Sequence, residues 1–147
     1  MGLILRKLRA AYGLLSLLLL LMGMLVYFLF RDTGSLVAFA WLPRPVFAGS
    51  PVIQLPPSAL SNIVMHNLAG MLWLVSGILF FRFVWFRKPR EQKIYIGCFC
   101  GVAALLEVGQ LSQRIPGTFD ARDLLFMGLG AFVEGALHKI FVERKVA

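Results

Sequence analysis

Apolar residues fall into four long runs, 11–30, 61–81, 94–111 and 124–141, and all seven prolines lie in the segments between them. A helix rises about 1.5 Å per residue, so about 20 apolar residues cross a hydrocarbon core ~30 Å thick. The first two runs reach that length. The third and fourth are each interrupted by a Glu, and reach it when their flanks extend the helix. The expected fold is all-α: four transmembrane helices at about 11–30, 59–81, 92–113 and 121–141, in one domain covering 1–147, with an outside loop at 31–58.

Small and polar residues inside the runs recur at helical spacing and predict the inward faces. On the first helix these are Ser16, Gly23 and Tyr27; on the second, Asn62, His66, Gly70, Trp73 and Gly77. The third carries Cys100, Ala103, Glu107, Gln110 and Arg114 on one face, and the fourth Met127, Gly130, Ala131, Glu134 and His138. Ser58 is placed to cap the second helix and Pro89 to open the third. The first loop carries Pro43, Pro45, Pro51, Pro56 and Pro57 among aromatic and aliphatic residues, and reads as a strap along the membrane interface rather than a lid.

Composition agrees with the pattern. At 59% hydrophobic and 15% charged residues, the chain is too apolar for an ordinary soluble domain. The first run is longer than the core of a cleaved signal peptide and no small-residue cleavage site follows it, so it reads as a retained helix. Lys and Arg set the orientation. Arg6, Lys7, Arg9, Arg82, Arg87, Lys88, Arg90, Lys93, Lys139, Arg144 and Lys145 fall on one side, against Arg31, Arg44, Arg114 and Arg122 on the other. That asymmetry places both termini in the cytoplasm. The net charge of +8 is then the orientation signal plus attraction to anionic lipid heads, and requires no nucleic acid. Cys98 and Cys100 point to different sides of one helix and read as packing residues.

Chemistry concentrates between residues 105 and 135, which hold Glu107, Asp120, Asp123 and Glu134, four of the seven acidic residues. An ionisable group at membrane depth is expensive, and so marks a functional site by default. Glu107 lies about 20 Å along its helix from Ile94, in the outer half of the core. His66, two turns into the second helix, is expected at the same level, with Asn67 beside it. Pro116-Gly117 forces a turn, after which Asp120 and Asp123 serve either as helix caps or as ligands of a divalent ion. Glu134 and His138 form a deeper polar stripe. Glu134 would pair with an inner-leaflet cation or mark the floor of a polar cavity. No H-E-x-x-H, G-x-S-x-G or phosphate-binding loop is present.

His66, Glu107-x-x-Gln110, Ile115-Pro116-Gly117, Asp120-x-x-Asp123 and Gly128-x-Gly130, in that order, resemble the VanZ-like family of small polytopic bacterial membrane proteins. The resemblance covers about residues 60–135. It implies a multi-pass protein of the bacterial inner membrane, connected with the cell envelope and teicoplanin resistance, whose polar site is His66, Glu107, Gln110, Asp120 and Asp123. The chain departs from the family pattern at Gly117 and Thr118, where an Arg is frequent, and at Met127, where an Asn is frequent.

The leading functional expectation is a site for an anionic or polyprenyl-phosphate-type lipid entered from the outer leaflet. Arg114 and Arg122 would meet phosphate, His66 and Glu107 would handle a proton, and Asn67, Gln110, Asp120 and Asp123 would complete the binding set. No cofactor is expected beyond a possible divalent ion at the two aspartates. The alternatives are a non-catalytic subunit of a larger membrane complex, and transport of a proton or small solute.

Overall fold

The computed structural model describes residues 2–30, 53, 58, 63–112 and 119–140, and every regular element among them is helical. Helix α1 runs Gly2–Phe30 and so takes in Arg6, Lys7 and Arg9, well before the first apolar run. Straight-chain basic residues are good helix formers. Arg9 is also held by Phe83: its Nε donates to the Phe83 carbonyl at 3.0 Å, and its guanidinium lies 5.0 Å from the centre of the Phe83 ring.

Helix α2 is Ala69–Val84, entered through a π-helical turn at Ile63–Leu68. Its expected start, with Ser58 as cap and Asn62 in the first turn, involves residues 59–62, which lie outside the described residues, as does nearly all of the 31–58 loop. Helix α3 spans Pro89–Gly109, with Pro89 at its first position, and tightens into a 3-10 turn at Gln110–Ser112. Helix α4 covers Ala121–His138.

Two helical stretches, Leu5–Phe30 and Pro89–Ser112, are long and apolar enough to cross a membrane, and Ala69–Val84 is a shorter apolar helix. Four helices are therefore present among the described residues, ordered as the hydropathy pattern predicts.

Helix α2 is central. It packs along α1 and against both α4 and α3, while α3 and α4 touch only lightly. The expected single inward face of α2 is therefore divided. Gly70 faces Met127 of α4, Trp73 covers Gly23 of α1, and Gly77 lies under the Phe99 ring of α3. A helix with neighbours on several sides has no single face to bury. Glycine is required where rings seat directly on the backbone: a β-carbon at Gly23 or Gly77 would collide with the indole of Trp73 or the ring of Phe99. Between α1 and α2, Ser16 and Ser76 bond reciprocally, each hydroxyl donating to the other's carbonyl at 2.9 and 2.8 Å. Trp73 then stacks on Tyr27, centroids 5.9 Å apart.

The interior is unusually polar and the exterior apolar. Ser16, Asn67, Ser76, Gln92, Glu107 and Glu134 are all buried, while Leu14, Leu105, Leu125 and Phe132 are more than half exposed.

Candidate functional site

Polar side chains gather at both ends of the bundle. At the end where α3 finishes and α4 begins, Asp120 is extended at φ −129° and caps α4, its Oδ1 accepting from the Arg122 backbone N–H at 2.9 Å. That cap aims the first turn of α4 so that Asp123 meets the π-helical turn before α2, where the amide of Asn67 donates to Asp123 Oδ1 at 2.7 Å. Asn67 is placed by the π-helical turn. A π turn shifts the register of the residues that follow, a device that recurs at functional sites.

Glu107 completes this cluster from the last turn of α3. It is 7% exposed, and its Oε2 accepts from the side-chain amide of Gln110 at 3.1 Å. Its other oxygen, Oε1, is buried and has no hydrogen-bond partner among the described residues. Asp120 and Asp123 are both close enough to act on it electrostatically, and the Asp120 backbone N–H also approaches its carboxylate. An unsatisfied buried acceptor costs about 1–3 kcal/mol, and more when charged, so it is retained only where something else compensates.

Of the residues expected here, Asn67, Glu107, Gln110, Asp120 and Asp123 are brought to one end of the bundle. Arg122 is not turned inward: its side chain is exposed on the first turn of α4. Arg114 and the 115–117 turn lie outside the described residues, as does the side chain of His66, whose backbone belongs to the π-helical turn. The divalent-ion reading of Asp120 and Asp123 finds a cap and an Asn67 contact instead. No group of three or more His, Cys, Asp or Glu side chains among the described residues is arranged to hold a metal.

At the opposite, basic end, Glu134 is buried in a side-on ion pair. Arg82 Nε donates to Oε1 at 2.5 Å and a terminal guanidinium nitrogen donates to Oε2 at 2.9 Å. Gln92 accepts from the remaining guanidinium nitrogen at 3.1 Å and donates back to the Arg82 carbonyl at 3.4 Å. This network joins α2, α3 and α4. One turn further along, His138 Nδ1 and the Tyr12 hydroxyl share a 2.6 Å hydrogen bond that ties α4 to α1. Both members of the deep stripe, Glu134 and His138, bond partners on other helices.

Arg82, Gln92 and Tyr12 were not among the expected site residues, and Arg82 read only as an orientation charge. A signal was available, since Arg82 is the only charged residue within the apolar stretch 79–86. A guanidinium inside such a stretch calls for a buried acid. Comparison with protein-family models, curated proteins and solved structures finds no match to this chain.

Proposed function

We propose that the chain is a four-span protein of the bacterial inner membrane, VanZ-like in kind, with both termini in the cytoplasm. In this reading it binds an anionic, polyprenyl-phosphate-type envelope lipid at the outer end of its bundle. The observation that carries the reading is the buried Glu107 carboxylate, whose Oε1 makes no well-formed hydrogen bond among the described residues although the Asp120 backbone approaches the group, beside the Asn67–Asp123 bond. A site of this kind wants a donor from a ligand, such as a headgroup hydroxyl or a phosphate proton. Arg122, exposed at the adjacent helix start, supplies positive charge that a phosphate would meet. The polar interior and apolar exterior suit a lipid surrounding, where helices are joined by small residues and interhelical hydrogen bonds.

Transport is the weaker reading, because Arg82, Glu134 and Gln92 saturate one another across the basic end. The test is native mass spectrometry of the protein gently extracted from its own membrane, with analysis of the retained lipid. Wild type is expected to keep a prenyl-phosphate-type lipid that Glu107→Leu and Arg122→Ala lose. A fixed-ratio protein partner without specific lipid would sink the proposal and make the chain an accessory subunit.

A further inference from the structure

Between α1 and α4, with α2 as its floor, runs a groove of about 590 Å³, lined by Leu8, Leu15 and Leu19, by Leu79, and by Leu129 and Leu137. It begins at the basic end of the bundle and runs as far as Met71 and Leu129, and neither Glu107 nor Asp123 lines it. From Leu8 to Leu19 it extends about 16 Å along α1, close to half of a ~30 Å hydrocarbon core. Its only polar neighbours among the described residues are Tyr12, Glu134 and His138. Glu134 is saturated by Arg82, and the Tyr12 hydroxyl meets His138. The groove therefore asks for hydrocarbon rather than for a hydrogen-bonding ligand. Its volume is within the range of small-molecule sites, which are mostly apolar. Around its basic end, Arg6 and Lys7 on α1 and Lys139 just after α4 are exposed.

We infer that this groove seats one acyl chain of an anionic phospholipid from the cytoplasmic leaflet, its headgroup held by Lys7 and Lys139. Three observations agree on that occupant: a one-leaflet length, a lining with no open hydrogen-bond demand, and complementary charge at one end only. The inference rests on the membrane orientation proposed above, but not on the outer cluster.

The test reconstitutes the full chain in vesicles whose phosphatidylglycerol carries a photoreactive diazirine on the acyl chain, supplied to one leaflet at a time, and maps the labelled residues. Label is expected on residues 8–19 and 129–137 when the probe is in the leaflet facing the termini. It should fall to background in Ala11→Phe and, from the opposite wall, in Val133→Trp. Lys7→Gln and Lys139→Gln should each weaken it about fivefold, the effect of one basic residue at an anionic surface. Glu107→Leu should leave it unchanged, which separates this groove from the outer site. Equal labelling of the exposed α3 face around Leu105, or label indifferent to both groove-filling variants, would overturn the inference. So would a second copy or another protein cross-linked into the groove. Labelling only from the opposite leaflet would overturn the orientation and the cytoplasmic-leaflet assignment together.

Discussion

Arg82 and Glu134 are 11% and 8% exposed at their side chains, so neither charge has much water to turn to if the other is lost. Removing one member of a buried pair is far more costly than removing both, because the survivor is left uncompensated. Arg82→Met is therefore expected to destabilise the protein by about 3–5 kcal/mol, whereas Arg82→Met with Glu134→Met recovers most of that loss. Unfolding in mixed micelles measures both variants, and a double variant no more stable than the single one would refute the pairing argument. Tyr12→Phe removes a donor or acceptor from His138 without changing the packing of its ring against Phe86, 6.1 Å away. Its cost is expected near 1 kcal/mol, that of one hydrogen bond, by the same unfolding measurement. At this scale Glu107 and Glu134 were legible in the sequence because each stands in an apolar run. Their partners were not: Arg82 stands beside a genuinely basic link, and Tyr12 beside the N-terminal cations, where both read as ordinary interface residues.

The elements were legible to the extent that each helix has one neighbour. On α1, Ser16 and Gly23 are buried and Tyr27 packs on Trp73, as their spacing predicts. On α4, Gly130 and Glu134 are the buried pair within the predicted stripe. Periodicity did not show that the stripe on α2 is shared among three neighbouring helices, and it began α1 later than the structure does because hydropathy cannot see that Arg6, Lys7 and Arg9 continue the same helix. The glycines test this packing. Gly23→Leu and Gly77→Leu must displace Trp73 or Phe99, and each is expected to cost about 1–3 kcal/mol through overpacking. Gly97 and Gly101 on α3 face open space, with nothing within 4 Å of where a β-carbon would stand. Replacing either with Ala should stabilise the helix by up to about 1 kcal/mol, since Gly is the poorer helix former. Thermal denaturation of the four variants in one detergent decides the matter: similar effects at crowded and open positions would mean that the helix crossings are wrongly drawn.

Among the described residues, six polar side chains are buried while most leucines of α1 and α4 face outward, and the orientation of that object is a question its helix lengths can address. The π-helical turn and α2 together cover residues 63–84, about 33 Å at helical rise, and the 18 residues of α4 cover about 27 Å. Both are long enough to traverse a thin or slightly adapted bilayer beside the longer α1 and α3. If all four cross, the α2–α3 link with Arg87, Lys88, Arg90 and Lys93 must share a side with the N-terminal cations and with Lys139. Reporter fusions after residues 45, 88 and 140 distinguish the possibilities. The proposed topology expects the fusions after 88 and 140 to report cytoplasm and the fusion after 45 to report the outside. A cytoplasmic reading after 45 would mean that α1 does not span. An outside reading after 140 would mean that α4 lies along the membrane, and with it the Glu107 cluster would lose its wall and the inner groove its second side.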